Sequence, residues 1–494
     1  MNFRVQLLIA AAPFALNACT PTGITNAAPV SAGQSAPISA AERQQGNQEH
    51  PKIVAEFGGA YTGPQAAYAT RVGRKIAVQS GLSADPAAFD VTLLNSSVNN
   101  AFAIPGGYVY VTRELVALMN DEAELAAVLG HEVAHVAARH SAKRQSAAQR
   151  NSILGVLGQV LVGAVAGDSP VGELLTKGIG TGAQLVTLGY SRSQETQADD
   201  LGIRYLVRAG YDPLALSTML ESLAAQNSLD QSTAGTAGSI PEWASTHPDP
   251  ASRVQRAADQ ARATGASSGV RNRDTFLAAI DGMMYGDDPA QGVVVGREFL
   301  HPAMRIAFTA PQGFAIQNGA SAVSISGPNA QAQFSSAKYS GDMDAYIATV
   351  LRSLSSNNSS IPQAPVQRTT VNGIPAAYSS VRATSGSSQV DVTVFAYATS
   401  TSQAYHFIML TPAGQGMGVM SQMAQSFHRL SASQAAEIKP RYVRVVIVKR
   451  GDTLQSLSAK MVFPDHRLER FLVLNRLTAS SQLTPGQKVK VITY

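Results

Sequence analysis

The chain has 494 residues, a single cysteine, and 38 basic against 33 acidic side chains, for a formal charge of +5. No basic cluster is interleaved with aromatics, so nucleic-acid binding has no support, and one cysteine excludes an internal disulfide. Average hydropathy is near zero, and no uncharged apolar run reaches the roughly 18 residues of a membrane span, so the expectation is a soluble body of about three domains.

At the start of the chain Arg4 supplies a positive end, and Leu7 to Leu16 an apolar core too short to cross a bilayer. Residues 1–18 therefore read as a secretory signal. Leu16-Asn17-Ala18-Cys19 resembles the lipobox of bacterial lipoproteins, with Asn17 as its one departure, and makes Cys19 the expected lipid attachment point. Thr20 is not the aspartate that retains such proteins at the inner membrane, so the resemblance implies the periplasmic face of the outer membrane. Residues 19–48 are rich in Ala, Pro, Ser, Thr, Gly and Gln, and are expected to form a flexible tether.

Residues 49–290 are expected to form one domain. Residues 50 to about 80 read as helical, with Val54, Tyr68, Val72 and Ile76 among the apolar positions. Strand signals follow at Val91 to Leu94 and on both sides of Pro105-Gly106. Asp121 and Glu124 predict a capping box opening a helix whose buried side carries Leu125, Val128, Leu129 and Val136. On the flank of that stripe sits His131-Glu132-Val133-Ala134-His135. Two imidazoles one turn apart can grip one metal ion, and the carboxylate between them can reach a metal-bound water without being a ligand. A third ligand is needed. His140 lies five residues past His135, but Ala138 and Ser141 stand where a metzincin has glycine and histidine, so that arrangement is excluded. The better source is Ser191 to Asp199: Glu195 and Asp199 share a helix face, so one can bind metal while the other accepts the free ring N–H of a ligating histidine.

Between these motifs lies an insertion, Ser152 to Leu188, in which Leu and Val alternate with Gly155, Gly158, Gly163 and Gly167; it reads as a helical lid or a buried helical hairpin. Gly210-Tyr211-Asp212-Pro213 ends the second motif helix, and another helix is expected from Pro213 to about Asn227. Residues 228–240, poor in large apolar side chains, read as a mobile run leading to Ser245-Thr246-His247-Pro248. A helix around Arg253 to Arg262 and the segment Asp274 to Tyr285 close the unit, with a boundary at Gly286-Asp287-Asp288-Pro289.

Over roughly residues 50 to 260 the chain resembles the HtpX and BepA branch of the gluzincin zinc metallopeptidases. Four stretches carry the resemblance: Asn100 to Gly107, His131 to His135, Glu195 to Asp199, and His247-Pro248. It implies that His131, His135 and Glu195 bind one Zn2+ per chain, with Glu132 as general base and Asp199 behind a ligand. His247 matches a loop histidine able to reach the zinc, and Arg253 the basic residue that follows it. It further implies a substrate-binding edge strand, here Asn100, Ala101, Phe102, Ala103 and Ile104, that holds a peptide backbone by strand addition.

From Phe299 the pattern changes to alternation, in Met304 to Phe308, Val323 to Ile325, Ala332 to Phe334, Val390 to Tyr397 and Tyr405 to Leu410. Helical segments flank these near 342–355 and 416–430. Residues 291–436 thus read as an α+β domain, faintly similar to PsbP-like domains, in which His301, His406 and His428 are solvated or packed rather than ligands. Residues 440–494 resemble the βααβ LysM module. The predicted class is α+β: a mainly helical zincin-type domain with a small sheet, an α+β domain, and a LysM-like unit. The predicted function is a periplasmic zinc endopeptidase, lipid-anchored to the outer membrane, acting on unfolded or misfolded envelope proteins. Peptidoglycan and the outer-membrane protein assembly machinery are the further partners considered. The alternative is a chaperone or peptidoglycan-binding adaptor with a structural zinc site; against it, a glutamate ligand and an intact Glu132 are what an open catalytic site requires.

Overall fold

The computed structural model describes residues 36–140, 190–233, 247, 249–266, 268–354, 364–385 and 388–494. The signal, Cys19, the insertion and most of the 228–240 run lie outside the described residues. Helix α1 (Ala40–Glu56) comes first, and α2 (Pro64–Ala77) follows across a glycine-containing turn. Next come β1 (Asp90–Leu94), β2 (Ala101–Ile104) and β3 (Tyr108–Thr112), then α3 (Arg113–Leu118) and α4 (Glu122–Ala137). The second half comprises α5 (Arg192–Arg208), α6 (Ala215–Thr233), α7 (Pro250–Ala263), α8 (Arg273–Ile280) and the short β4 (Met284–Tyr285).

Helix α1 corrects the tether expected through residue 48. Ser39 and Glu42 form a reciprocal capping box, which satisfies the first orphan N–H groups and starts a helix in a stretch of unremarkable composition. Ile53 then packs with Phe102, Ile104, Tyr108 and Tyr110 on one face of the small sheet. Gly46 is required there, because a Cβ on it would come within 2.4 Å of the Tyr108 ring. The other face of the sheet rests on α2 and α4, with Ala101, Ala103, Val109 and Val111 in the main core. Strand order is β1-β3-β2, with β1 parallel and β2 antiparallel to β3, so β2 lies at an edge.

Helix α6 also departs from expectation by continuing to Thr233 instead of stopping near Asn227. Leu229 is buried, Gln226 bonds Asp230 at 2.8 Å, and the hydroxyls of Ser228, Ser232 and Thr233 fold back onto helix carbonyls, so a polar sequence still completes its turns.

The middle region is built on a seven-stranded antiparallel sheet. Alternation sorts the strand Ser388–Ala398: Val390, Val392, Val394 and Ala396 face the helix Met343–Ser353, while Phe395 and Tyr397 enter an aromatic core beneath a four-stranded sheet. The expected helix near 416–430 shortens to Met420–Ser426, after a turn with positive φ at Gly416 and Gly418. His301 and His406 are buried and packed, as read from the sequence.

The last unit has the expected order, strand Arg441–Ile447, helices Leu454–Ser458 and Arg467–Asn475, and strand Lys488–Thr493. It is not a separate bead. Its first strand pairs with β4, and Val443, Phe463, Phe471 and Val491 join the same hydrophobic cluster as α2 and α4. Lys490 is fully buried, its ammonium donating to the carbonyls of Ala117 at 2.7 Å and Met119 at 2.5 Å, where α3 ends. Burial drives its pKa well below the usual range.

Candidate metal centre

Asp121 caps α4 by accepting from the Glu124 N–H at 2.9 Å, and Glu124 reaches back to the N–H of Asn120 at 2.7 Å, one residue before the cap. Ser191 and Gln194 form the capping box of α5. The two helices cross closely because Gly202 faces the backbone of His131; a Cβ there would lie 3.3 Å from the His131 nitrogen. That crossing brings Glu195 and Asp199 to the histidines of α4.

His131 Nε2 and His135 Nε2 are 3.0 Å apart, and the Glu195 oxygens lie 3.6 and 3.4 Å from them respectively. His247 Nδ1 completes the group, 3.0 Å from Glu195 Oε1 and 3.3 Å from His131 Nε2. All four donor atoms fall within 4.8 Å of one another and all four residues are buried. Donors around a tetrahedral zinc at about 2.1 Å stand about 3.4 Å apart, so the spacing fits. Two imidazoles and a carboxylate are also the donor types of an open zinc site.

The electrostatics point the same way. Burial alone would raise the Glu195 pKa, but His247, His131 and His135 hold it far below the usual carboxylate range. Burial likewise opposes ionisation of Asp199, but Arg253 and His131 together hold its pKa below the ordinary value. Arg253 spans both acids, bonding Asp199 through Nε at 3.0 Å and Nη2 at 2.5 Å and pairing with Glu195 through Nη1. Burial would lower the pKa of His131, yet Asp199 and Glu195 push it up to about 9. The acids thus call for positive charge at the point where the Nε2 atoms meet. Burial holds the His135 pKa well below its ordinary value, leaving the ring neutral, as a metal-binding imidazole must be.

Glu132 is different. It is buried, neither of its oxygens has a hydrogen-bond partner among the described residues, and His247 Nε2 stands 3.5 Å from Oε1. Burial raises its pKa. Such a carboxylate is available to take a proton from a water placed against the donor set.

The residues named from sequence therefore converge: His131, His135, Glu195 and His247 in one group, Glu132 beside it, and Asp199 and Arg253 behind it. Asp199 Oδ1 is 3.0 Å from His131 Nδ1. Asn100 extends the β2–β3 pairing, its carbonyl accepting from the Thr112 N–H at 3.0 Å, and Phe102 is sandwiched by Phe57 and Tyr110. Three residues were missed. Tyr190 stacks on His135 at 3.6 Å, His140 Nδ1 sits 2.9 Å from His135 Nδ1, and Gln197 Oε1 sits 3.0 Å from His140 Nε2. The spacing of His140 raises only the question of a ligand, and nothing in it announces a supporting role.

Known proteins match the same stretch. The model of Peptidase family M48 covers residues 64–261 and that of the LysM domain residues 446–491. The beta-barrel assembly-enhancing protease of Yersinia pestis is 32% identical over 225 residues, 45% of this chain and 44% of the relative. That of Escherichia coli O157:H7 is 34% identical over 193 residues, 38% of each chain. The mitochondrial metalloendopeptidase OMA1 of Schizosaccharomyces pombe is 29% identical over 218 residues, 44% of this chain and 59% of the relative. The matched part spans less than two thirds of each of these relatives. Residues 64–261 form a Peptidase family M48 domain, and residues 446–491 a LysM domain.

Proposed function

We propose that this chain is a zinc metalloendopeptidase. The observation that carries the reading is Glu132: a buried carboxylate without a hydrogen-bond donor among the described residues, beside four metal-competent donor atoms. His131, His135 and Glu195 would hold the ion, which when bound supplies Lewis-acid polarisation of a carbonyl and of water. Glu132 takes the proton of the attacking water and returns it to the leaving amine. Asp199 and Arg253 hold His131 and Glu195 in place. The outer edge of β2 would offer N–H and C=O groups to an extended peptide, with main-chain bonds that accept many sequences.

His247 stands where it closes the donor set through Nδ1, so a resting, capped site is the reading we favour over a transition-state donor. On that reading His247→Ala gains or deregulates cleavage of folded proteins. A general loss of turnover at unchanged zinc affinity would instead make His247 a transition-state donor.

The relatives' names lead to assembling outer-membrane proteins as the substrate class, and the lipobox to Cys19 as a lipid anchor at the periplasmic face of the outer membrane. The LysM domain adds a surface for peptidoglycan. The deciding experiment is cleavage of casein and of an unfolded β-barrel protein by the purified chain, before and after chelation and zinc repletion. Chelator-sensitive, zinc-restored cleavage is expected. Suppression of aggregation with no cleavage would favour a chaperone or adaptor.

A further inference from the structure

His131 and His135 present the same atom, Nε2, to the donor set, yet different chemistry holds the two rings from behind. Behind His131 is the Asp199 carboxylate, which only accepts, so the proton sits on His131 Nδ1. Behind His135 is a second imidazole, with the two Nδ1 atoms 2.9 Å apart. One of that pair must donate and the other accept. The far nitrogen of His140 lies 3.0 Å from Gln197 Oε1, and an amide oxygen accepts, so a neutral His140 carries its proton on Nε2. Its Nδ1 is then a lone pair, His135 Nδ1 is the donor, and His135 Nε2 faces the metal ligands with its lone pair free.

His140 is fully buried, and its carbonyl accepts from Gln194 Nε2 at 3.4 Å, so α5 grips it twice. Helix α5 thus supports both histidines of α4, His131 through Asp199 and His135 through Gln197 and His140. We propose that His140 and Gln197 are positioning residues that set the tautomer and orientation of His135, giving the centre one histidine backed by a charged acceptor and one backed by a neutral acceptor. This rests on the metal-site reading above.

The test compares the full chain with His140→Ala, His140→Gln and Gln197→Leu, reading zinc affinity by competition with a chelating dye and the visible bands of the Co2+-loaded site. The wild type should bind one equivalent. His140→Ala and Gln197→Leu should lose about 10–100-fold in affinity and shift the Co2+ bands at unchanged circular dichroism. His140→Gln, whose amide oxygen can accept from His135 Nδ1, should recover most of the loss. Unchanged affinity and bands in His140→Ala overturn the inference. If that variant does not fold, Gln197→Leu decides by the same criteria, since Gln197 bonds His140 and not His135. A wild type that binds no metal overturns the underlying reading instead.

Discussion

The first turn of α4 and its later turns both bury charge, and they treat it in opposite ways. At the start, Glu124 accepts from the Asn120 N–H, the Thr218 hydroxyl and Arg476 Nη1, each at 2.7 Å. Glu122 accepts from the hydroxyls of Tyr68 and Tyr211 and from Asn272, and Asp121 pairs with Arg271 at 2.9 Å. Ten residues further on, Glu132 is equally buried and accepts from no described residue. A saturated carboxylate is inert and holds elements together; one left unsatisfied in the interior costs free energy and is retained for proton transfer. On the proposed function, the comparison separates, on a single helix, charge that serves the fold from charge kept for chemistry.

The strongest way to break this contrast is Glu132→Gln. The amide keeps the volume and removes the base, so turnover should fall by about 10²–10⁴-fold while zinc stays bound. Near-normal turnover would put Glu132 on the structural side.

At the opposite end, Arg476→Ala removes one of three donors from Glu124 and loosens the LysM domain from α4. Because the Arg476 side chain is about a third exposed, its loss should cost only about 1–2 kcal/mol of stability, seen as a lower thermal midpoint. Zinc affinity should not change; a drop in affinity would mean that the two ends of α4 are coupled.

Glu114 on α3 is an intermediate case, buried with one backbone donor, Gly286 N–H, at 2.8 Å. Burial raises its pKa to about 7, against the partial relief of Arg113. With the folded value above the ordinary one of 4.5, the folded chain holds the proton more tightly than the unfolded chain. That contribution to stability is full below about pH 4.5 and is lost as pH rises towards 7. Glu114→Gln should therefore match the wild type near pH 4.5 and exceed it at pH 8, by no more than about 3 kcal/mol. Thermal midpoints at the two pH values check this, and an equal difference at both would show that burial of Glu114 is offset by its partners.

How much of the centre could be read beforehand follows from periodicity. His131 and His135, like Glu195 and Asp199, are pairs four apart, and a helix turns any such pair onto one face. His140 and Gln197 are 57 positions apart and meet only because α4 and α5 cross. The part of α1 before residue 49 is hidden for another reason: it is continuous with a linker-like stretch, and the information lies in a single capping box and one glycine beneath Tyr108. Lys490, in the alternating Lys488-Val489-Lys490-Val491, caps α3 from the inside, a contact between positions far apart in the chain.

Sequence alone determined the residue types of the centre, their helical spacing and the strands on both sides of Pro105-Gly106, because these depend on contacts within a few residues; the βααβ order of the last unit came from its resemblance to the LysM module. Only the tertiary structure decided that His247 lies within reach of Glu195, that His140 backs His135, and that the LysM unit shares the peptidase core. Those contacts join positions far apart in the chain, where side-chain shape, burial and the approach allowed by Gly202 set the outcome rather than any local pattern.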